Sequence, residues 1–228
     1  MIFGGFQKLT LLDFPGFVAC TLFTKGCNFL CPFCHNAPLV NKPGEAASFS
    51  EEEILSFLKK RTGILEGVCI TGGEPLLHTS LKDFIIKVKA LGYKVKLDTN
   101  GSFPERLSSL ISEGLIDYVA MDIKNSFEKY AITSGTDKTY LPAIEESIDI
   151  LLSGKMPYEF RTTVTRELHT VRDIELIAER INGADKYFLQ NFSDSGNIIG
   201  RGLSPVDELT LKEMSVAAAK YIKFCKIR

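Results

Sequence analysis

The chain has 228 residues, enough for a single domain over 1–228 with a substantial core and too few to demand a second. Its 27 Lys and Arg stand against 28 Asp and Glu, and a net charge of −1 excludes the broad basic footprint of a dedicated nucleic-acid or anionic-membrane binder. No apolar run reaches the roughly 18 to 20 residues that span a bilayer, and Met1–Lys8 lacks the basic start and long apolar stretch of a secretory leader, so a cytoplasmic location is expected.

The first strand is predicted over Phe17–Phe23, followed by a cysteine-rich loop and a helix start at Ser50, where Glu53 has capping-box spacing. A strand at Val68–Thr71 leads to a helix whose stripe is Leu81, Phe84, Ile85, Val88 and Leu91, ended by Gly92. Lys94–Thr99 is the next strand, Ser102 with Glu105 the next helix start, and Gly114 its end. Tyr118–Ile123 and Tyr158–Val164 flank a helix marked by Ile144, Ile148, Leu151 and Leu152 and closed by Gly154. Ile174, Ile177, Ala178 and Ile181 stripe a further helix before the strand Lys186–Gln190. Thr210 with Glu213 opens the last, which buries Leu211, Met214, Ala218, Tyr221 and Ile222. Alternation of this kind predicts an α/β fold. Successive right-handed βα units, about six of them, curl toward a barrel, and a full eight-unit barrel typically needs about 250 residues. The expectation is therefore an incomplete (β/α)6 TIM-like barrel, with a doubly wound open sheet as its competitor.

Of six cysteines, three crowd into the loop Lys25-Gly26-Cys27-Asn28-Phe29-Leu30-Cys31-Pro32-Phe33-Cys34-His35-Asn36, while Cys20, Cys69 and Cys225 sit in apolar surroundings that suit small packed thiols. Intervals of three and two residues let a tight loop aim three thiolates at three corners of an iron–sulfur cube, and soft sulfur suits iron. One iron then lacks a protein ligand and is open to a chelating small molecule. Zinc is the competing reading, since Cys-X2-Cys followed by His occurs in tetrahedral sites. It fits less well, because zinc ligands usually come in two separated pairs and His35 adjoins Cys34.

Other chemistry gathers at the ends of later strands, which share one face in a parallel barrel. Thr71 leads into Gly72-Gly73-Glu74-Pro75, Leu97 into Asp98-Thr99-Asn100-Gly101 and Val119 toward Asp122 and Lys124, with Arg161 and Gln190 further along. The glycines allow close backbone approach to a ligand and Glu74 offers a carboxylate to an ammonium, although such a turn also has a purely structural reading. Lys96 with Asp98, and Asp122 with Lys124, fall on one side of their strands by alternation, unless Lys94-Val95-Lys96-Leu97 is a solvated edge. His78 and His169, near helix starts, read as capping or surface groups.

Cys27-X3-Cys31-X2-Cys34 followed by Gly72-Gly73-Glu74-Pro75 resembles the radical S-adenosylmethionine superfamily. Asp13-Phe14-Pro15-Gly16, Cys34-His35-Asn36 and Asp98-Thr99-Asn100-Gly101 are similar to glycyl-radical-enzyme activating proteins, above all those of anaerobic ribonucleoside-triphosphate reductase, along nearly the whole chain. The resemblance implies a [4Fe–4S] cluster on Cys27, Cys31 and Cys34 and a bound S-adenosylmethionine. It implies that Gly72, Gly73 and Glu74 meet the amino group of that cofactor, Phe33 its adenine, and Lys124, Arg161, Asn100 and Gln190 other parts of it. Asp98 and Asp122 are implied to help form a monovalent cation site beside its carboxylate. Reductive cleavage to a 5′-deoxyadenosyl radical and hydrogen abstraction from a glycine Cα of the reductase follow from the same likeness, as does an outside one-electron donor such as flavodoxin or ferredoxin. Alternatives within the chemistry are a 7-carboxy-7-deazaguanine synthase-like enzyme or an activator of another glycyl-radical enzyme. Outside it stand a non-catalytic iron–sulfur sensor or electron carrier, and a structural zinc protein.

Overall fold

The computed structural model describes residues 1–194 and 196–228, and the chain divides into two compact units. The first comprises Met1–Asn28, Pro38–Thr99 and Glu105–Val119; the second comprises Phe29–Ala37, Asn100–Pro104 and Ala120–Arg228.

In the first unit β1 (Ile2–Thr10) runs antiparallel to β2 (Ala19–Thr24), after which the chain makes the short helix α1 (Ala37–Asn41). The two-residue strand β3 (Phe49–Ser50) pairs with β1 and leads directly into α2 (Glu51–Lys59). Ser50 and Glu53 form the predicted capping box, with Ser50 Oγ accepting the Glu53 amide at 3.2 Å and Glu53 Oε2 accepting the Ser50 amide at 2.7 Å. Parallel pairing joins β2 to β4 (Gly67–Gly72) and β4 to β5 (Lys94–Thr99), with α3 (Leu81–Ala90) between these last two. The stripe Leu81, Phe84, Ile85 and Val88 is buried, as the 3.6-residue period requires. After α4 (Pro104–Ser112) the chain enters β6 (Tyr118–Asp122), where the Asp117 amide donates to the Val95 carbonyl at 2.7 Å and sets β6 beside β5. Strand β5 is thus interior and not a solvated edge, and Lys96 is 1% exposed.

Asp13-Phe14-Pro15-Gly16 lies at the starts of these strands, away from the ends that carry the cysteine loop. Phe14 packs on Phe17 and Tyr118, and a side chain at Gly67 would come within 2.7 Å of its ring. Thr21 Oγ1 donates to Asp13 at 2.5 Å, so this motif closes the core floor.

In the second unit the end of β6 meets β7 (Tyr158–Val164) through the Ile123 amide and the Arg161 carbonyl at 2.8 Å. Helices α5 (Tyr130–Ser134) and α6 (Leu141–Leu152) fill the connection, and α6 buries Ile144, Ile148 and Leu151 as predicted. Helix α7 (Val171–Arg180) follows, then β8 (Tyr187–Asn191), α8 (Glu208–Ala218) and β9 (Cys225–Ile227), with β7, β8 and β9 mutually parallel. The whole is α/β and mostly parallel. Two predicted starts are corrected. Helix α8 is capped by Asp207, whose carboxylate accepts the Thr210 amide at 3.0 Å, so Thr210 is inside the helix. Helix α4 begins at Pro104, and the Ser102 hydroxyl instead donates to Asn100 at 2.6 Å. Among the described residues no helix is long and apolar enough to cross a membrane.

Candidate functional site

In the first unit, Gly72-Gly73-Glu74-Pro75 leaves the end of β4 and is stitched to the segment entering the cysteine loop. The Gly73 amide donates to the Thr24 carbonyl at 2.9 Å and the Glu74 amide to the Gly26 carbonyl at 2.9 Å. A Cβ on Gly73 would lie 1.8 Å from the Gly26 carbonyl oxygen, and one on Gly72, at φ +115°, 2.3 Å from the Thr24 nitrogen. The close approach that the glycines permit is therefore to the chain's own backbone, immediately before Cys27. His78, expected to be a cap or a surface group, bonds the Lys25 carbonyl through Nε2 at 2.8 Å and holds the same segment. Arg106 donates to the Leu77 carbonyl at 3.0 Å and also bonds that of Leu76, fixing the short 3-10 turn Pro75–Leu77.

Glu74 is buried, and its Oε1 accepts the Leu76 amide at 3.0 Å and the Thr99 hydroxyl at 2.8 Å. Its carboxylate is thus aimed by two donors. Asp98 pairs with Lys96, and the Cys69 thiol sits 3.8 Å from both Asp98 Oδ1 and Lys96 Nζ. Strand alternation puts the pair on one side, as expected. Cys69 is buried but has polar neighbours, unlike a thiol in a purely apolar core. Cys20 does fit that description, and burial pushes its thiol up to about 12.

The second unit carries Cys31 and Cys34. Cys31 is 7% exposed, and the Cys34 amide donates to its carbonyl at 3.0 Å in a tight turn. Pro32 accepts the Gly200 amide at 2.7 Å, His35 stacks on Phe192 with centroids 5.7 Å apart, and the Leu30 amide donates to Ser134 at the end of α5 at 2.9 Å. Asp122, at the end of β6, accepts Lys124 Nζ at 3.1 Å and Arg161 Nε at 2.8 Å. Burial opposes ionisation of Asp122, but the Arg161 guanidinium and Lys124 ammonium hold its carboxyl well below the usual range. Burial also opposes charge on Lys124; Asp122 and Cys31 outweigh it and keep the ammonium protonated. Burial pushes the Cys34 thiol up, against the Asn36 amide and Lys124.

Phe33 is 4% exposed and meets the His169 ring edge-on at 6.2 Å. His169 is buried, not a surface group, and the helix that follows it is capped by Thr170 and Asp173. Its Nδ1 accepts the Thr165 amide at 3.1 Å, which assigns the proton to Nε2, the donor to the Lys124 carbonyl at 2.8 Å. Asn100 accepts from the amide and hydroxyl of Ser102 at 3.0 and 2.6 Å and so shapes its own turn. Gln190 lies in β8 opposite Thr163. The sequence reads His78 and His169 only as capping or surface groups and Thr99 only as part of its motif, and it gives Arg106 no signal; the capping-box spacing of Thr170 to Asp173 marks the helix start just after His169.

The donor set fits an iron–sulfur cluster: three thiols in one loop, one of them buried, with the half-buried Lys124 ammonium acting against the burial that pushes the Cys34 thiol up. Among the described residues no three His, Cys, Asp or Glu side chains form a grouping suited to a single ion, and a cube with thiolates at separate corners asks for none. Asp98 and Asp122 each already face a cationic side chain.

The radical SAM superfamily profile matches residues 21–164, more than half of the chain. A candidate glycyl-radical enzyme activating enzyme of Methanocaldococcus jannaschii is 34% identical over 238 residues, which cover 98% of this chain and 94% of that relative. A GTP 3′,8-cyclase of Helicobacter pylori is 33% identical over 162 residues, 68% of this chain and 49% of the cyclase. Among solved structures, Streptococcus suis SuiB bound to S-adenosylmethionine superposes with a TM-score of 0.68 at 14% identity over 88% of this chain and 48% of SuiB. TYW1 with a lysine-pyruvate adduct bound gives 0.63 at 16% identity over 89% and 73%. The chain spans about half the length of the cyclase and of SuiB. At such identities the solved structures speak for the fold alone, and it is the α/β class expected from the order of strands and helices.

Proposed function

Because the chain belongs to the radical S-adenosylmethionine superfamily, we propose that it is the activating enzyme of a glycyl-radical enzyme, with anaerobic ribonucleoside-triphosphate reductase as the partner. The observation that carries the activating role is the end-to-end match to the candidate activating enzyme of M. jannaschii, which leaves neither chain a large unmatched segment; the choice of reductase rests on the likeness of Asp13-Phe14-Pro15-Gly16, Cys34-His35-Asn36 and Asp98-Thr99-Asn100-Gly101. The M. jannaschii match covers 98% of this chain and so residues of both units, which supports taking 1–228 as one functional domain. The location is cytoplasmic, where a ribonucleotide reductase would be met.

Cys27, Cys31 and Cys34 hold the cluster and leave one iron to S-adenosylmethionine. When bound, these groups would supply, with one electron from a flavodoxin or ferredoxin, cleavage of S-adenosylmethionine to methionine and a 5′-deoxyadenosyl radical able to take a hydrogen atom. The protein's part is to bind and orient. Gly72, Gly73 and Glu74 receive the amino group of the methionine moiety, with Glu74 aimed by Thr99 and the Leu76 amide. Lys124 and Arg161, two cations on the one carboxylate of Asp122, favour an anionic group such as the methionine carboxylate. Phe33 offers its ring to the adenine, while Asn100 and Gln190 face the rest of the nucleoside. Asp98 and Asp122 would take a monovalent cation only in competition with their present partners.

The test is anaerobic electron paramagnetic resonance on reduced, reconstituted protein mixed with S-adenosylmethionine and the reductase. A glycyl doublet that needs all three components is expected. No doublet with a reductase that another activator can charge would refute this partner.

A further inference from the structure

Among the described residues two buried side-chain hydroxyls, those of Tyr130 and Thr165, make no hydrogen bond. Both belong to the second unit, and buried hydroxyls of folded proteins nearly always have a partner. Thr165 is tied to His169 through its amide, so its hydroxyl sits beside a finished contact. Tyr130 is different because its helix is docked on the cysteine loop.

Three contacts establish that docking. The Tyr130 ring meets Phe29, two residues before Cys31, edge-on at 6.4 Å. Its carbonyl accepts the Ser134 hydroxyl at 2.7 Å, and the Ser134 carbonyl accepts the Leu30 amide at 2.9 Å. Gly135, at φ +64°, lets α5 end against Leu30, whose carbonyl oxygen would lie 2.3 Å from any added Cβ. Tyr130 is 1% exposed, burial pushes its phenol up, and the charges of Lys124, Cys31 and Asp122 all act on it. The Lys124 main chain is within reach, yet no aligned hydrogen bond forms.

We propose that the Tyr130 hydroxyl is a hydrogen-bond donor to a sulfur of the cluster held by the cysteine loop, the Cys31 thiolate or an adjoining sulfide, and that it sets the cluster's reduction potential. An O–H dipole pointed at sulfur stabilises the more negative, reduced cluster and so raises the potential. This rests on the superfamily's cluster and not on which protein is activated, so a failed partner assay leaves it standing.

Tyr130→Phe keeps the ring and removes the donor. In the reconstituted holoenzyme without S-adenosylmethionine, a potentiometric titration read by electron paramagnetic resonance should show the reduced-to-oxidised ratio at fixed potential falling about tenfold, a negative shift of about 59 mV for one electron. Affinity for S-adenosylmethionine, read from its perturbation of the cluster spectrum, should be unchanged. The cluster-free variant should melt at the same temperature as the unsubstituted chain or higher, because a hydroxyl without a partner has been removed. An unmoved potential overturns the proposal, whether or not cofactor affinity falls. So does a destabilised cluster-free chain, which would make the hydroxyl a structural group.

Discussion

Lys124 carries its charge in a half-buried setting, and three neighbours hold it there. Asp122 accepts its ammonium at 3.1 Å, Arg161 shares that carboxylate at 2.8 Å, and His169 fixes its carbonyl at 2.8 Å. Removing one member of this half-buried set leaves the others without their partner. Burial lowers the pKa of His169, and protonation at Nδ1 would also break its bond from the Thr165 amide. Above the ordinary histidine value of about 6.5 both folded and unfolded chains are neutral at this residue, and its contribution is complete. As pH falls below that value the unfolded chain gains a proton that the folded chain resists, so stability is lost until the folded value is passed. His169→Gln should cost about 1–2 kcal/mol near neutral pH and flatten this part of the pH profile in denaturant unfolding. An unchanged slope would show that His169 is not the titrating group.

At the scale of elements, the turn after β4 is built for contact with the turn after β2. Gly73→Ala places a Cβ 1.8 Å from the Gly26 carbonyl oxygen, where backbone and not a flexible side chain must give way. The expected loss is about 1–3 kcal/mol of stability, together with reduced iron uptake on reconstitution, because the displaced segment leads straight into Cys27. Full iron content and unchanged unfolding would contradict the contact. The six strands β2, β4, β5, β6, β7 and β8 were legible because each is a short apolar, β-branched run between breakers. Strand β1 was not, since Gly4 and Gly5 dilute its pattern; they are there because Leu39 and Phe23 pack where side chains would stand. Strands β3 and β9 have two and three residues, too few to show a period. The start of α8 was misplaced because Asp207 and Thr210 both suit a cap, and only the hydrogen bond between them decides.

Across the whole molecule, the cysteine triad and the Gly-Gly-Glu-Pro turn were readable because each is a local pattern with its own chemistry. His78, His169 and Tyr130 were hidden because their importance comes from partners far off in sequence, at Lys25, Lys124 and Phe29. Residues that support a site rarely carry a motif, since what matters is where a ring or hydroxyl arrives after folding. The central claim is that three thiols of one loop leave an iron open to S-adenosylmethionine. Its most direct measurement is quantification of 5′-deoxyadenosine after the reconstituted protein is reduced and mixed with S-adenosylmethionine under anaerobic conditions. The account predicts the nucleoside from the unsubstituted chain and none from Cys31→Ala. An intact, reducible cluster that yields no 5′-deoxyadenosine, or a Cys31→Ala variant that yields as much, would contradict it.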